Sequence, residues 1–329
     1  MIPQSPIVTI FGGSGFVGRY VARRMAKSGW RVRVAVRRPN EALFVRTYGV
    51  VGQVEPVLAN IRDDASVRKA LEGADAAVNC VGILSPSGRQ TFDAVQDEGA
   101  GRVARLAAEA GIRRFVHVSA IGADPESDSA YARTKALGEA RVREHMPDAV
   151  ILRPSIVFGV EDEFFNRFAA MARMSPVIPL IGAESRFQPV FVDDVAAAAQ
   201  KAIVEGVAPG VYELGGPEIE TFRQLMERML RVIRRRRVII GLPFGIARIM
   251  GRASDILSWA SGGLFPAPVT HDQVLQLARD NVVSEDAQSF ADLGISPRSM
   301  DAELEDYLTP YKPYGQYAHI TENAKKALR

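Results

Sequence analysis

The chain has 329 residues, of which 47% are hydrophobic and 24% are charged. This is enough material for a large buried core, and it excludes a disordered or fibrous protein. The 41 basic and 38 acidic residues give a formal net charge of +3, so the overall charge gives no indication of a nucleic-acid partner, and we expect none.

Short β-branched runs alternate with amphipathic helical patterns through the first half of the chain. The predicted strands are Ile7–Phe11, Arg31–Val36, Gln53–Leu58, Ala76–Val81, Phe115–Ser119 and Val150–Leu152, and the helices between them include Phe16–Lys27 and Gly101–Ala110. This alternation predicts an α/β fold, namely a Rossmann-type doubly wound parallel sheet with helices on both faces and a smaller C-terminal lobe.

The pattern loosens after Pro154. Helices are predicted at 162–173, 192–204, 221–231 and 299–308, with short strands near 177–180 and 211–214. We therefore expect a Rossmann dinucleotide-binding domain over 1–158 with interleaved elements from the second half, a smaller α/β lobe over 159–308 with an apolar docking segment at 238–269, and an extended tail over 309–329. Charged residues, Gly and Pro interrupt 238–269, so it is not expected to span a membrane.

The cysteine and histidine residues predict neither a disulfide nor a metal site. The single cysteine, Cys80, lies in a predicted strand, which favours a buried thiol and a reducing compartment. The four histidines have no metal-ligand spacing. Residues 1–6 lack the pattern of a cleavable signal peptide, so we expect the protein to stay in the compartment where it is made.

A glycine-rich segment over 12–18 directly follows the first strand and opens a helix. Glycines at these positions permit a tight turn, a close approach of the backbone to a pyrophosphate and close helix packing. The N-terminus of the helix offers unpaired N–H groups to the anion. We predict that this segment binds a dinucleotide through Gly12, Ser14, Gly15, Phe16 and Gly18.

Two arginines follow the second strand where an NAD-binding protein would carry Asp or Glu. Guanidinium groups at Arg37 and Arg38, with Arg19 nearby in the chain, suit a ribose 2′-phosphate. The predicted cofactor is therefore NADPH. Asp63, after the third strand, has two open interpretations: it contacts the adenine, or it caps a helix.

Four motifs together resemble the extended and atypical short-chain dehydrogenase/reductases. They are the glycine-rich segment, Asn79-Cys80-Val81-Gly82 after the fourth strand, Ser119 at the end of the fifth, and Tyr131-Ala132-Arg133-Thr134-Lys135. The resemblance implies that Tyr131 is a general acid/base, that Lys135 lowers its pKa and holds the nicotinamide ribose, and that Ser119 orients the substrate oxygen. Tyr and Lys four residues apart share one helix face, and a nearby ammonium favours phenolate.

The remaining predicted cofactor contacts follow other strands of the sheet. They are Asn60, Ile61, Val81, Gly82, Pro154, Ser155 and Ile156, joined by the triad of Ser119, Tyr131 and Lys135. The same resemblance implies that backbone amides near Ser155 meet the nicotinamide end.

A closer resemblance covers nearly the whole chain. Segments 129–139, 152–162, 188–195 and 311–315 resemble the nucleotide-binding accessory subunits of respiratory complex I, in a form expected from bacteria. This implies a tightly held NADPH with a structural role and complex I subunits as partners at the junction of the peripheral and membrane arms. It also implies a peripheral location on the cytoplasmic side of the inner (plasma) membrane.

Two features of the second half fit docking. Arg231 and Arg234–Arg237 precede an apolar segment that contains Trp259, which suits an anionic membrane surface or an acidic partner. The alternative is a solvated turn followed by buried helices. The tail from Thr309 to Tyr317 is either a strap over a partner or a segment that folds back on its own domain.

Three functional interpretations stay open. The first is the complex I accessory subunit, in which the triad is vestigial. The second is a free-standing NADP-dependent reductase, epimerase or isomerase that acts on a sugar nucleotide, a flavonoid-like ketone or a quinone through the triad. The third is a regulator that senses the NADPH/NADP ratio.

Overall fold

The computed structural model describes residues 5–260, 270–313 and 315, with side chains described outside 254–260. Its strands are β1 (Ile7–Phe11), β2 (Arg31–Val36), β3 (Val54–Leu58), β4 (Ala76–Asn79), β5 (Arg114–Val118), β6 (Val150–Pro154), β7 (Val157–Phe158), β8 (Val177–Ile181), β9 (Arg186–Phe187), β10 (Val190–Phe191), β11 (Gly210–Leu214), β12 (Glu220–Thr221) and β13 (Val238–Leu242). Its helices are α1 (Phe16–Lys27), α2 (Asp64–Leu71), α3 (Glu98–Glu109), α4 (Ala130–His145), α5 (Phe165–Met174), α6 (Val192–Val204), α7 (Phe222–Val232), α8 (Phe244–Ala260), α9 (His271–Gln276) and α10 (Met300–Leu308). A 3₁₀ helix over Pro39–Tyr48 follows β2.

The main sheet has seven parallel strands in the order β11-β6-β5-β4-β1-β2-β3. The strand order reverses between β1 and β4, and in doubly wound sheets the carboxyl ends of the strands at such a point are where ligands bind. Phe11, the last residue of β1, is in register with Asn79 of β4 and Ala35 of β2. The residues that follow these strands are therefore brought together at one edge.

Buried apolar side chains and an ion pair hold helices of the first half and α6 in place around this sheet. Phe11 and Phe115 pack with Val103 and Leu106 of α3 in one core cluster. On α1, Arg24 forms a bidentate ion pair with Asp193 of α6, with both nitrogen–oxygen distances at 2.7 Å. This pair ties together two helices that are far apart in the chain. The predicted doubly wound sheet is confirmed, because the sheet is parallel and helices surround it.

The chain divides into two compact units. The first comprises 1–155, 192–215 and 283–296, and it contains the seven-stranded sheet. The second comprises 156–191, 216–282 and 297–329. The predicted boundaries at 158 and 308 stay predictions.

The second unit is built from short strand pairs and helices. Its β13 runs parallel to β8, with Val238 opposite Val177. The phenyl rings of Phe164 and Phe222 stack with their centroids 5.5 Å apart. Helix α7 begins with a capping box in which Thr221 and Gln224 exchange hydrogen bonds, satisfying free backbone donors at the helix start.

Several predicted bounds move by a few residues. Strand β4 ends at Asn79 rather than Val81, and Ser119 lies just beyond β5 rather than at its end. The predicted apolar segment 238–269 is a strand followed by α8, and its residues 261–269, with Phe265 and the side chain of Trp259, lie outside the described part. Of the predicted tail, Thr309–Tyr311 forms a 3₁₀ turn, whereas most residues beyond Pro313 lie outside the described part.

Candidate functional site

The glycine-rich turn is shaped by contacts that exclude side chains. Gly12 has a φ of 73°, a left-handed conformation that favours glycine. A Cβ on Gly12 would lie 3.2 Å from the carbonyl carbon of Cys80. A Cβ on Gly18 would overlap the carbonyl oxygen of Gly12 and lie 2.8 Å from Cα of Gly13. The turn therefore requires glycine at both ends of the motif.

The start of α1 is suited to bind an anion. Its N-cap is Gly15, which has no side chain to accept hydrogen bonds from the first backbone N–H groups, and the first turn contains no acidic residue. Unpaired N–H groups and the positive end of the helix dipole attract phosphate. The predicted residues Ser14 and Phe16 lie at this helix start, both partly exposed.

Arg19 folds back over the turn. Its guanidinium donates to the carbonyl oxygens of Ser14 at 3.0 Å and Gly15 at 3.3 Å. It also lies over the ring of Phe44, 5.0 Å from the centroid. Sequence reasoning missed Phe44, which the 3₁₀ helix after β2 carries to Arg19. The one local signal is Pro39 at the start of that helix, a residue that favours helix initiation.

Arg37 and Arg38 are exposed at the carboxyl end of β2. Arg38 pairs with Glu41 at 3.0 Å, and their side chains are 76% and 68% exposed. Such an exposed pair contributes at most about 1 kcal/mol, so a phosphate can displace Glu41. Within the described ranges Arg37 has no hydrogen-bonding or ion-pair partner.

The residues after β3 have local structural roles. Asn60 donates its backbone N–H to Ser66 Oγ and accepts from the N–H of Arg62. Ile61 is buried at 8% exposure. Asp63 caps α2 by accepting from the N–H of Ser66 at 3.1 Å, so the capping interpretation is confirmed.

The end of β4 is linked to β5 through a buried amide. Asn79 Oδ1 accepts from the Val81 N–H at 3.1 Å, and Asn79 Nδ2 lies 3.2 Å from His117 Nδ1. Because an amide NH₂ only donates, His117 Nδ1 accepts and its proton is on Nε2. Burial, with the nearby charge of Lys135, lowers the pKa of His117 to about 3. His117 is therefore neutral, and sequence reasoning missed its role beneath the site.

The predicted triad lies at this same edge. Lys135 is 5% exposed, donates to the carbonyl oxygen of Val118 at 3.3 Å and has Nζ 5.9 Å from the ring centroid of Tyr131. A Cβ on Gly82 would lie 3.3 Å from this Nζ, so Gly82 leaves room for the ammonium. Phe92 packs edge-on against Tyr131 with a centroid distance of 5.9 Å. The spacing places Tyr131 and Lys135 on one face of α4, as the sequence predicts.

Burial lowers the pKa of Lys135 to about 8, while the carboxylate of Glu139 and then Cys80 oppose the shift. Desolvation of the Cys80 thiol raises its pKa to about 12, so this thiol is protonated at neutral pH. A lysine whose pKa lies close to neutral pH can both donate and accept a proton readily. The chemistry available at this edge is proton transfer.

Ser119 is 4% exposed, and among the described residues its Oγ and His117 Nε2 are the two buried side-chain polar atoms without a hydrogen-bond partner. An unpaired buried hydroxyl costs free energy unless a ligand or water satisfies it. This orphaned hydroxyl beside the Lys135 helix fits a bound nucleotide or substrate oxygen.

The end of β6 supplies the last predicted contacts. Ser155 is buried and donates its N–H to the carbonyl oxygen of Leu214, and the carbonyl oxygen of Pro154 accepts from Ile121. Ile156 begins the second unit and donates its N–H to Asn281 Oδ1 at 3.2 Å. The amide of Ile156 is thus already engaged.

The sequence pattern described as the NAD dependent epimerase/dehydratase family matches residues 8–215. The chain belongs to this family. The family binds a nicotinamide dinucleotide, and the matched range contains every predicted site residue.

Three relatives of this epimerase/dehydratase chain carry different names. Subunit 9 of the mitochondrial NADH dehydrogenase (ubiquinone) 1 alpha subcomplex of Arabidopsis thaliana is 33% identical over 316 residues, covering 94% of this chain and 79% of the relative. The NADH-ubiquinone oxidoreductase 40 kDa subunit of Neurospora crassa is 30% identical over 311 residues, covering 94% and 80%. A ceramide reductase of Caulobacter vibrioides is 32% identical over 239 residues, covering 72% and 74%. The first two are subunits of complex I.

Solved structures support the fold. A quinone oxidoreductase from Escherichia coli, which is NADPH-dependent and complexed with NADPH, superposes with a TM-score of 0.68. It is 18% identical and covers 92% of this chain and 98% of its own. At this identity the likeness shows the fold of this family member alone.

The described part of the chain contains neither a cluster suited to a metal ion nor a helix suited to a bilayer. There, no group of three or more His, Cys, Asp or Glu side chains is arranged to hold a metal ion. None of the helices in the same ranges has the length and apolar character needed to cross a bilayer.

Proposed function

We propose that this chain is an NADPH-binding accessory subunit of a proton-pumping NADH:quinone oxidoreductase that holds its nucleotide without turnover. The observation that carries this proposal is the similarity to two complex I subunits over 94% of the chain. Similarity of that extent includes the second unit as well as the nucleotide-binding one. A role in assembly therefore explains more of the sequence than a role of the dinucleotide site alone.

The residues at the carboxyl edge fit NADPH. The uncapped start of α1 suits the pyrophosphate, and Arg37 and Arg38 replace the acid that an NAD site would place after β2. Arg19, held over Phe44, adds a third guanidinium near the turn. A nucleotide bound at a thousandfold excess over its dissociation constant would stabilise the folded chain by about 4 kcal/mol.

The proposed place of the subunit is the junction of the peripheral and membrane arms, on the cytoplasmic side of the inner (plasma) membrane. Arg234–Arg237 lie immediately before β13, whose Val238 and Ile240 are 60% and 46% exposed. A basic cluster beside exposed apolar side chains supports contact with a membrane surface or an acidic partner subunit. Residues 261–269 of the predicted docking segment lie outside the described part.

Native purification tests the proposal. We would release the assembly from membranes with mild detergent, identify co-migrating proteins by mass spectrometry and measure the nucleotide in the same fraction. The expected result is co-migration with quinone oxidoreductase subunits and about one NADPH per chain. A solitary chain that exchanges its nucleotide freely would contradict it.

A second candidate is a free-standing NADP-dependent reductase or epimerase. Two observations favour it: the triad residues lie together at the sheet edge, and one relative is a ceramide reductase. A bound nicotinamide would supply hydride exchange. Tyr131 would move the proton at the substrate oxygen, Lys135 would favour its phenolate form, and the hydroxyl of Ser119 would hold that oxygen.

This candidate predicts measurable oxidation of NADPH by ketones, quinones or lipid substrates with the purified chain. Tyr131→Phe should then abolish turnover while nucleotide binding remains nearly unchanged. Absence of turnover with each substrate class in the intact chain would contradict the reductase candidate and leave the accessory-subunit proposal standing.

A further inference from the structure

A groove of about 680 Å³ in the second unit is lined mainly by arginine. The six arginines are Arg223, Arg231, Arg234, Arg235, Arg236 and Arg237, and Glu227 is the acidic residue among the lining side chains. We call this the arginine groove. Its volume lies within the roughly 300–1,000 Å³ typical of sites for small molecules.

The groove is formed where α7 ends. Arg235 donates its N–H to the carbonyl oxygen of Leu230, and Arg234 donates to that of Arg231. These two bonds form a Schellman turn, in which the residue after the C-cap adopts a left-handed conformation and is usually glycine. Here the position is Arg234, with a φ of 54°. A non-glycine residue in this conformation strains the backbone, and such strain is commonly retained where the side chain is used.

Several arginines of the groove have no acidic partner in the described part of the chain. Within the described part of the chain no carboxylate forms an ion pair with Arg231, Arg235, Arg236 or Arg237, and Arg223 pairs with the exposed Glu184 at 3.4 Å. Burial, and then the guanidiniums of Arg237 and Arg173, lower the pKa of Arg235. An anion bound among these groups would relieve their mutual repulsion.

Two of the arginines are partly buried and are held by backbone carbonyl oxygens. Arg235 Nε donates to the carbonyl oxygen of Tyr311 at 2.9 Å, and Arg237 Nε donates to that of Ala172 at 2.7 Å. One or two cations at a helix C-terminus are explained by the helix dipole. Six arginines, two of them anchored to distant carbonyls, exceed that explanation and instead form a preorganised set of donors for phosphate oxygens.

Exposed apolar side chains follow the groove directly. Ile239 lines it, and its neighbours Val238 and Ile240 on β13 are 60% and 46% exposed. On α8, Ile246, Ile249 and Met250 are 52%, 72% and 50% exposed. Their spacing of three and four residues places them on one helix face. A site for free phosphate needs no such surface, whereas a lipid presents a phosphate and an apolar chain together.

We propose that the arginine groove binds the phosphodiester headgroup of an acidic phospholipid, with the exposed side chains of β13 and α8 directed to the acyl region. This deepens the membrane contact within the proposed function by naming its ligand. The guanidiniums would hold the phosphate oxygens, and the apolar residues would enter the boundary between headgroups and acyl chains.

Vesicle flotation of the full-length, nucleotide-bound chain tests this assignment. We expect binding to vesicles of phosphatidylcholine with phosphatidylglycerol, little binding to phosphatidylcholine alone, and weaker binding as salt rises. Arg231→Gln with Arg236→Gln should lower the partition coefficient at least about tenfold, since each basic residue near an anionic surface contributes roughly a fivefold factor. Arg23→Gln with Arg143→Gln, which removes the same charge from exposed positions of the first unit, is the matched control.

Arg234→Gly separates the ligand role from folding. Glycine suits the turn, so the variant should stay folded, with the thermal midpoint as the check, while vesicle binding falls. Equal binding to both kinds of vesicle, or equal losses in the groove and control variants, would overturn the proposal. So would a groove that binds inorganic phosphate, or an acidic protein, but no vesicles. Flotation uses the chain alone, so absence of vesicle binding would leave the complex I proposal intact. In the same way, failure to co-purify with complex I would leave the vesicle result intact.

Discussion

The two ends of the candidate nucleotide site consist of different kinds of chemical groups. The phosphate end, made of the turn over 12–18 with Arg19, Arg37 and Arg38, consists of backbone shape, a free helix start and mostly exposed guanidiniums. The triad end, made of Ser119, Tyr131 and Lys135, contains a buried hydroxyl on Ser119 without a partner among the described residues and a buried lysine whose pKa is lowered. The first end is suited to hold a nucleotide, whereas the second is suited to react with it.

This contrast shows that the presence of an intact triad is not by itself evidence that the protein turns over a substrate. Ser119 Oγ and His117 Nε2 are both buried without a partner in the described structure, and each such group costs about 1–3 kcal/mol. A resident nucleotide that satisfies Ser119 would stabilise the fold even if no substrate arrived. The triad end can therefore be retained for binding, and experiments that separate the two ends decide its role.

The largest effect is expected from Gly18→Ala at the phosphate end. The added Cβ would overlap the Gly12 carbonyl and distort the turn. Overpacking should destabilise the chain by about 1–3 kcal/mol, and loss of a tightly held nucleotide should add about 4 kcal/mol. Thermal unfolding and nucleotide content would be measured together. In the control Gly245→Ala, the new Cβ meets open space, and a similar fall in both variants would argue against a special role for the turn.

A smaller effect is expected from Glu139→Gln behind the triad end. Glu139 is fully buried and forms a bidentate pair with Arg153 at 2.9 and 2.7 Å. The substitution should cost about 3 kcal/mol, because Arg153 keeps only its longer contact with Glu213, at 3.6 Å. Urea unfolding gives the free energy. Glu109→Gln, which breaks exposed pairs with Arg105 and Arg68, should cost under about 1 kcal/mol. Equal losses in the two variants would show that Glu139 is not a structural anchor.

The pH dependence of stability gives a third test of the triad end. The folded pKa of Lys135 is about 8, below its ordinary value of 10.5, so the unfolded chain binds more protons between these values and stability rises with pH. Above pH 9 the raised pKa of Cys80 acts in the opposite direction. Between about pH 8 and 9, Lys135 should contribute a gain of about 1 kcal/mol.

Urea unfolding of the nucleotide-free chain at these two pH values would measure the gain. Lys135→Met should abolish it, whereas Lys69→Met, at an exposed position of α2, should preserve it. A gain that persists in Lys135→Met would show that another group titrates.

The sequence predicts the glycine-rich turn of the phosphate end well, but it does not predict the long-range side-chain pairs that support the site. Gly12 and Gly18 lie within one short segment, and alternating strands and helices specify a parallel sheet, so local pattern suffices. The pairs Arg19 with Phe44 and Glu139 with Arg153 join residues that only the folded chain brings together. Asp63 shows the same limit, since capping and adenine contact leave the same sequence signal.

The second unit departs further from the predictions. The strand β13 pairs with β8 about sixty residues earlier in the chain, and neither strand has the alternating pattern that marks a half-buried sheet. The left-handed Arg234 also has no sequence signal, because glycine is the residue expected there. The run Arg234–Arg237 can be read directly from the sequence, but the groove that it lines depends on how α7 ends.

The most direct test compares two variants in the native membrane assembly. One is the double substitution of Arg37→Glu and Arg38→Glu at the phosphate end, and the other is Tyr131→Phe at the triad end. Nucleotide content, incorporation into the quinone oxidoreductase complex and quinone reduction would be measured for both. A structural nucleotide predicts that charge reversal lowers nucleotide content and incorporation, because guanidinium–phosphate attraction becomes repulsion. It predicts that Tyr131→Phe leaves all three quantities largely unchanged. Loss of quinone reduction in Tyr131→Phe, with nucleotide and assembly retained, would contradict the account.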